Sequence, residues 1–246
     1  MKDRVQKEAE YHDKRFEDEK GRAGVRKFYT ITDSSKAFYK NFLRTHCNKK
    51  AVLEYGCGTG SNIGLLLDNG ASVTGIDISR VAIEKAKQQF IGVSSAKLSL
   101  QVMNAEELEF LNDSFDLICG TGILHHLNLA NAFKELSRTL KPDGVAIFVE
   151  PLGHNPLINL YRKMTPDYRT EDEHPLIQRD FQILKSYFQK VELNYFHLCT
   201  IFAVPFRKTR IFNLLSTALN KLDQFLFKTL PGISKYAWQV VIILRK

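Results

Sequence analysis

The chain of 246 residues is 44% hydrophobic and 25% charged, and it carries a formal net charge of +8. This length is enough for one large α/β domain with a sizeable buried core, and the composition is that of an ordinary soluble protein. The charge-rich first twenty residues argue against a signal peptide, and the longest clean apolar run near the C-terminus, residues 240–244, is too short to span a bilayer.

The charge is distributed unevenly along the chain. Residues 51–150 hold 7 Lys and Arg against 12 Asp and Glu, whereas residues 1–50 hold 14 against 8 and residues 151–246 hold 14 against 7. Basic flanks around an acidic centre favour an anionic partner, such as a phosphorylated or carboxylated substrate, nucleic acid or a membrane surface. A basic face that only keeps the protein in solution explains the same charges.

From position 51 onward, strand patterns alternate with helical patterns, which predicts an α/β fold with a doubly wound, mostly parallel seven-stranded sheet. Strands are predicted at 51–55, 72–76, 98–103, 115–119, 145–150, 191–200 and 236–244. Helices are predicted at 61–68, 80–90, 131–140, 177–188 and 206–228, with Ser79 as a cap. Residues 151–176 contain four of the seven prolines and are predicted to be irregular.

The first predicted strand runs into a glycine-rich turn, and the second ends on an acid. Gly56, Gly58 and Gly60 lack the Cβ that would prevent a sharp turn and a close approach to a ligand. Asp77, at the tip of the second predicted strand, can accept hydrogen bonds from the vicinal hydroxyls of a ribose. Together these residues predict a nucleoside pocket.

The spacing of the glycines in this turn indicates which nucleoside the pocket binds. The dinucleotide fingerprint GxGxxG has its third glycine beneath a pyrophosphate, but Ser61 stands at that position here. Glu54, two residues before the first glycine, would repel a pyrophosphate and could receive a cationic amino group. The pattern E-x-G-x-G-x-G followed by an acid resembles motif I of the class I S-adenosylmethionine-dependent methyltransferases.

This resemblance implies a Rossmann-like methyltransferase fold and S-adenosyl-L-methionine as the cofactor. It places the glycines against the methionine and ribose portions, Glu54 at the amino group and Asp77 at the ribose hydroxyls. In related enzymes an acid-Ala-Glu triplet reads the adenine edge, and Asn104 here replaces that acid with an amide oxygen that still accepts a hydrogen bond. The implied cofactor residues are Glu54, Gly56, Cys57, Gly58, Gly60, Asp77, Ile78, Asn104, Ala105, Glu106, Gly120 and Thr121.

Two further segments match the family in the correct order. Residues 115–127 resemble the motif-four region, whose strand end faces the reacting methyl group. Residues 140–144 resemble the LKPGG turn of many small-molecule methyltransferases, with Asp143 in place of a glycine. We expect this second segment to be only a turn that binds nothing itself.

Histidines are the candidates for removing a proton from the acceptor. Methyl transfer from a sulfonium depends mainly on positioning, and a base matters when the acceptor is an alcohol or a protonated amine. Each histidine also has a structural interpretation, either as support near the cofactor or as a loop residue bonded to backbone. The candidates are His125, His126, His154 and His174.

The sequence favours neither a metal nor a reactive thiol. Metal-dependent quinone O-methyltransferases have acids and a histidine in the motif-four segment, where this chain has Gly122, His125 and His126, so we expect no metal. The four cysteines show no CxxC spacing, which indicates free thiols in a reducing, cytoplasmic location. Cys57 and Cys119 are expected to pack in the core and not to act as nucleophiles.

We expect one domain over residues 1–246. Residues 46–150 would form the cofactor-binding core, residues 1–45 a helical lid, and residues 151–176 and 203–232 two insertions on the substrate side. The candidate lid residues, which helix packing would explain equally well, are Tyr11, Arg26, Phe28 and Tyr29.

The favoured function is methyl transfer to a small-molecule acceptor such as a natural product, sugar or lipid-like compound, with oxygen as the expected acceptor atom. One alternative is a methyltransferase-like protein that docks on membranes or anionic partners through the basic amphipathic helix at 206–228. RNA methylation is another, although residues 120–123 lack the Asn/Asp-Pro-Pro-aromatic segment of base-amino methyltransferases. The apolar positions of the amphipathic helix are Ile211, Leu215, Ala218, Leu222 and Phe225.

Overall fold

The computed structural model describes residues 2–18, 28–165 and 173–246, and its centre is one seven-stranded sheet. The strand order is β3-β2-β1-β4-β5-β7-β6. Neighbouring strands are parallel, except that β7 is antiparallel to both β5 and β6. The doubly wound, mostly parallel sheet is therefore confirmed. The strands are β1 (Ala51–Tyr55), β2 (Ser72–Asp77), β3 (Leu98–Val102), β4 (Phe115–Thr121), β5 (Leu140–Pro151), β6 (Lys190–Phe196) and β7 (Gln239–Arg245).

Helices connect the strands and flank the sheet. The α-helices of the described residues are α1 (Lys2–Glu17), α2 (Asp33–His46), α3 (Ile63–Asp68), α4 (Arg80–Gln89), α5 (Leu129–Thr139), α6 (Pro156–Lys163), α7 (Asp180–Leu184) and α8 (Phe212–Thr229). Short 3-10 helices span Phe28–Ile31, Leu124–His126, Thr200–Phe206 and Pro231–Tyr236. The predicted cap of α4 is confirmed, because the Ser79 side chain accepts a hydrogen bond from the amide of Ala82.

The core lies in two layers, one on each face of the sheet. Successive side chains of a strand point to opposite faces, so Leu53 of β1 belongs to one layer and Val52 to the other. The first layer includes Phe133 of α5, and the second includes Leu43 of α2 and Ile83 of α4. Burial of each such apolar side chain in these two layers contributes about 2 kcal/mol to the stability of the fold.

The segment expected to be a turn before the fifth strand is instead part of it. Leu140 pairs with Phe115, but the next pairing joins Val145 to Leu117, so residues 141–144 bulge out of the ladder. Proline lacks a backbone donor and glycine accepts unusual geometry, which suits them to a bulge as well as to a turn. The turn prediction at this position was therefore wrong.

The first insertion is more regular than predicted. The Asn155 side chain accepts a hydrogen bond from the amide of Ile158 at 3.0 Å, and Pro156 occupies the first turn of α6. An Asn cap followed by proline is a strong start signal for a helix, and it forms one here. Residues 166–172 of this insertion lie outside the described residues. None of the described helices is both long and apolar enough to cross a bilayer.

Candidate active site

The glycine-rich loop leaves β1 at the carboxyl edge of the sheet. The amide of Cys57 donates to the carbonyl of Ile76 at 2.8 Å, which ties the loop to the end of β2. Gly56 has a φ of +72°, and a Cβ at this position would lie 2.3 Å from Cδ1 of Ile123. Both the backbone conformation and the space therefore require glycine where the turn begins.

Asp77, the last residue of β2, faces this loop. Its Oδ2 accepts from the amide of Gly58 at 2.8 Å, and its Oδ1 accepts from the amide of Ser79 at 2.9 Å. Burial raises the pKa of Asp77, while these two amides, His12 and Arg15 act in the opposite direction. The carboxylate is thus held in a fixed orientation, and each oxygen retains acceptor capacity for a further donor.

A cavity of about 360 Å³ lies beside the loop and Asp77, at the carboxyl edge of the sheet. Ligands of open α/β sheets bind in the crevice at this edge. The walls come from the ends of β1, β2, β3 and β4, and α1 completes them. The predicted site residues that line the cavity are Gly56, Cys57, Gly58, Asp77, Ile78, Asn104, Ala105, Glu106, Thr121 and His126.

Glu54 does not line this cavity. It is buried at 1% exposure, and its Oε1 accepts from the amide of Asn62 at 3.1 Å and from the Asn62 side chain at 2.8 Å. Burial raises the pKa of Glu54 to about 7, although the bonds to Asn62 oppose this shift. In this geometry Glu54 braces the glycine loop from below. Its predicted contact with an amino group stays a prediction.

Gly60 and Gly120 also lie outside the cavity wall and serve packing. A Cβ at Gly60 would lie 2.6 Å from the ring of Phe90, and one at Gly120 would lie 2.7 Å from the carbonyl oxygen of Tyr55. Substituting either glycine would therefore disturb the core beneath the loops, whether or not a ligand contacts it.

The triplet after β3 lines the cavity, but protein donors occupy its acceptors. Oδ1 of Asn104 accepts from the amide of Glu106 at 3.0 Å. The Glu106 carboxylate accepts from the amide of Asn128 at 2.9 Å and pairs with Arg4. Arg4 also donates to the carbonyl of His126 at 3.0 Å. The triplet therefore anchors the first turns of α1 as well as forming part of the wall.

Helix α1 is tied to the core at its other end too. Oδ1 of Asp13 accepts from the hydroxyl of Ser79 at 2.5 Å and from the amide of Val81 at 3.2 Å, at the start of α4. Nζ of Lys85 donates to the carbonyl of Phe16 at 2.7 Å. The cavity-lining residues of α1 recur at helical spacing, and this recurrence is the sequence signal that could have identified them. They are Arg4, Val5, Glu8, His12, Arg15 and Phe16.

The lid residues chosen from the sequence lie elsewhere. The ring of Phe28 is 4.4 Å from that of Tyr161, and the ring of Tyr29 is 5.7 Å from that of Trp238. These two residues and Tyr11 do not line the cavity. Arg26 lies outside the described residues.

His125 is buried and orders the loop after β4. Its Nδ1 lies 2.7 Å from Oε2 of Glu150, whose Oε1 accepts from the amides of Ile123 and Leu124 at 3.0 and 2.9 Å. The Glu150 carboxylate therefore fixes both the histidine ring and the backbone on which it stands. His125 does not line the cavity.

The two histidines of the first insertion are also away from the cavity. Nε2 of His154 accepts from the amide of Gln178 at 3.4 Å. The side chain of His174 is 52% exposed, and its Nε2 lies 3.3 Å from Oδ2 of Asp180. Their predicted catalytic roles stay predictions.

His126 is the candidate histidine that lines the cavity, and it faces two residues of α1. Its Nδ1 is 3.6 Å from Oε2 of Glu8, and Nε2 of His12 is 3.3 Å from the same oxygen. Ligand atoms of these three residues lie within 4.8 Å of one another, as do those of His125, His126 and Glu173. Imidazole and carboxylate groups are ligands of zinc and other transition metals. The expectation that the site holds no metal stays a prediction.

The two core thiols are unsuited to nucleophilic chemistry. Cys57 and Cys119 are 2% and 0% exposed. Burial raises the pKa of both thiols, with a further contribution from the charge of Glu54. The reactive thiolate form is therefore disfavoured at both positions, in agreement with the packing role expected of them.

Comparisons with known proteins relate the middle of this chain to a known family. The model of the methyltransferase domain family matches residues 53–148. The ubiquinone/menaquinone biosynthesis C-methyltransferase UbiE of Geotalea daltonii is 34% identical over 104 residues, which are 40% of this chain and 44% of that protein. The malonyl-[acyl-carrier protein] O-methyltransferase of Acetivibrio thermocellus is 35% identical over 106 residues, 42% of this chain and 36% of that protein. The chain spans half or less of the length of such curated relatives.

A solved structure supports the fold over nearly the whole chain. Phosphoethanolamine N-methyltransferase 2 of Haemonchus contortus, in complex with S-adenosyl-L-methionine, superposes with a TM-score of 0.64 and 17% identity, covering 92% of this chain and 58% of that one. The sheet order, the position of the glycine loop and the family match agree with one another. Residues 53–148 therefore match the methyltransferase domain family, within a fold that this chain shares with S-adenosylmethionine-dependent methyltransferases.

Proposed function

We propose that the chain transfers a methyl group from S-adenosyl-L-methionine to a small-molecule acceptor, with oxygen as the acceptor atom. The observation that carries the proposal is the pairing of Asp77 with the glycine loop across one wall of the cavity. The carboxylate, the loop amide of Gly58 and the cavity meet at one point, where a ribose would find acceptors for its vicinal hydroxyls.

The residues present fit this cofactor. A Cβ at Gly58 would lie 3.2 Å from the ring of Phe16, so the loop and α1 leave only a narrow cradle between them. Asp77 would bind the ribose hydroxyls, Ile78 would pack on the adenine, and Gly56 and Gly58 would contact the methionine portion. When bound, the cofactor supplies a methyl group made electrophilic by its sulfonium.

The residues of this chain would contribute mainly by positioning the acceptor and excluding water. An alcohol acceptor must also lose its proton, and His126, which lines the cavity, would receive it. The carboxylate of Glu8, 3.6 Å from Nδ1 of His126, would stabilise the protonated ring. Relatives named as O-methyltransferases support oxygen as the acceptor atom, although UbiE is named as a C-methyltransferase.

Substitution of Asp77 tests cofactor binding. We expect Asp77→Ala to weaken S-adenosyl-L-methionine binding about tenfold to a hundredfold in isothermal titration calorimetry, because hydrogen bonds to a charged acceptor are lost. Asp143→Ala, at an exposed carboxylate in the β5 bulge, is the matched control and should leave the affinity unchanged. Equal affinity of the Asp77→Ala variant and the wild-type protein would contradict the proposed site.

Substitution of His126 tests proton removal. With labelled cofactor and a metabolite extract as the source of acceptor, we expect His126→Gln to lower methyl incorporation about a hundredfold while cofactor affinity stays close to that of the wild type. His174→Gln removes an exposed imidazole outside the cavity and should retain activity. Full activity of His126→Gln would exclude this residue as the base, and wild-type protein that binds no cofactor would contradict the proposed function itself.

A further inference from the structure

Helix α8 presents an apolar stripe to the outside of the molecule. Leu215 and Leu219 pack inward against a small core cluster, but a second row of apolar side chains faces solvent. In this row Leu214 is 76% exposed and Phe225 is 62% exposed. The row recurs every three or four residues along the helix and comprises Ile211, Leu214, Ala218, Leu222 and Phe225.

The preceding 3-10 helix, Thr200–Phe206, also carries exposed apolar side chains. Its Ile201 and Val204 share the inner cluster with α8, while Phe202 and Phe206 are exposed. The buried carboxylate of Asp223 on α8 accepts from three successive amides at residues 198–200, at 2.6 to 3.2 Å. The 3-10 helix and α8 are therefore fastened together, and we call their exposed apolar side chains the outer apolar face.

The exposed charges of the segment that carries the outer apolar face are of one sign. Residues 200–235, which include the 3-10 helix and α8, hold six Lys and Arg and a single acid, Asp223. Because that acid is fully buried, its charge is not presented to a partner. Arg207, Lys208 and Arg210 lie in the chain between Phe206 and Ile211, at the border of the apolar side chains. An exposed apolar row flanked in the chain by arginine and lysine is the pattern of a peripheral protein at an anionic bilayer.

The same charges argue against a second copy of this chain as the partner that covers the outer apolar face. A two-fold dimer would place this patch against itself, so the arginines and lysines of one copy would meet those of the other. Anionic lipid headgroups meet no such repulsion, and their acyl chains solvate exposed leucine and phenylalanine.

The position of the outer apolar face in the fold fits this occupant. The 3-10 helix follows the carboxyl end of β6, and α8 precedes the start of β7, which is antiparallel to β6. Both segments therefore connect strand ends at the carboxyl edge of the sheet, and the ring of Phe227 on α8 lies 6.2 Å from that of Tyr195 on β6, the outermost strand. A bilayer at this face would contact the β6 side of the molecule, away from the ends of β1 to β4 that form the cavity walls.

We propose that the chain docks peripherally on anionic membranes through the outer apolar face and the basic residues that border it. Docking is independent of methyl transfer, so either proposal can fail without the other. It is strengthened by each cation near the surface and weakened by salt, because it combines apolar burial with electrostatic attraction to the headgroups.

Vesicle co-sedimentation of the full chain tests the proposal. One set of vesicles contains phosphatidylcholine alone, and the other contains phosphatidylcholine and phosphatidylglycerol in a two-to-one mixture. We expect binding to the anionic vesicles that is about tenfold or more stronger than to the neutral ones and that falls with added salt. Two variants separate the contributions, Leu214→Ser with Phe225→Ser for the apolar row, and Arg207→Glu with Lys208→Glu and Arg210→Glu for the charges.

Matched controls lie elsewhere on the surface. Ile91→Ser with Leu111→Ser removes two apolar side chains that are 86% and 84% exposed, and Lys40→Glu with Lys134→Glu and Lys185→Glu reverses three exposed charges. Both test variants should lose about tenfold or more in anionic-vesicle binding, while both controls bind as the wild type does. Circular dichroism and cofactor titration establish that each variant is folded.

Several outcomes would overturn the proposal. These are wild-type protein that stays in the supernatant with anionic vesicles, and test variants that bind as tightly as their controls. A concentration-dependent dimer in light scattering that Leu214→Ser with Phe225→Ser abolishes would assign the face to a second copy instead.

Discussion

At the scale of single residues, the burial of the Glu54 carboxylate has the clearest effect on the free energy of folding. It is buried beneath the glycine loop, and the two hydrogen bonds from Asn62 reach one of its oxygens. Burial raises its pKa from 4.5 to about 7, which means that the folded chain holds this proton more tightly than the unfolded chain. The free energy of unfolding must then depend on pH in a predictable direction.

Between about pH 4.5 and pH 7, the folded chain binds more protons at Glu54 than the unfolded chain does. Its contribution is therefore fully present below pH 4.5 and declines as pH rises through this window, by a few kcal/mol at most. We expect Glu54→Gln, which cannot ionise, to remove this decline. Urea unfolding of both proteins at about pH 5 and about pH 8 measures it, and Asp143→Asn is the exposed control. Parallel pH dependences of Glu54→Gln and wild type would contradict the assignment.

At the scale of secondary-structure elements, the sequence correctly predicted the features that depend on short local patterns. Apolar runs and alternation located all seven strands, and the spacing of Gly56, Gly58 and Asp77 identified residues that meet at one cavity. The Ser79 cap was confirmed because a cap is a contact over three residues. Such signals need no knowledge of distant parts of the chain.

Two elements show where a local pattern is ambiguous. Residues 141–144 have turn composition, but strand pairing on both sides of them makes a bulge, and only the partner strand decides between the two. Helix α8 has two apolar rows, one through Leu215 and Leu219 and one through Leu214 and Phe225. Periodicity identifies a helix with apolar sides, but it does not say which side faces the core.

Helix α1 shows what sequence reasoning missed at the site. Helix α1 lines the cavity, and its contacts with the core join residues far apart in the chain, such as Arg4 with Glu106 and Asp13 with Ser79. No short motif records such pairs. The cavity-lining side chains of α1 share a helical spacing, but the family motifs do not connect them with the cavity.

At the scale of the whole molecule, one buried histidine joins the last strands to the first helices. His197 follows β6, is fully buried, and lies with Nε2 2.9 Å from the hydroxyl of Ser35 on α2. That hydroxyl donates to Oε1 of Gln239 on β7 at 2.7 Å. Burial lowers the pKa of His197 to about 3, and the charge of Lys36 adds to the shift.

The sign of this effect is opposite to that of Glu54. Between about pH 3 and pH 6.5, the unfolded chain binds more protons at His197 than the folded chain, so stability increases with pH through this window. Because Glu54 acts against it between about pH 4.5 and pH 6.5, the two contributions largely cancel there in the wild-type protein. Substitution of either residue should therefore reveal the pH dependence of stability that the other residue causes.

We expect His197→Asn to remove the loss of stability on acidification that His197 causes, so that its melting temperature falls as pH rises from about 4.5 to 6.5. Asparagine is the appropriate substitution because His197 has a φ of +66°, which asparagine tolerates, and because its amide can still bond to Ser35. Calorimetric melting curves across this range measure the slope, with His174→Asn as the exposed control. The prediction is wrong if the melting temperatures of His197→Asn and wild type depend on pH in the same way. Burial of His197 would then not lower the stability of the fold in acid.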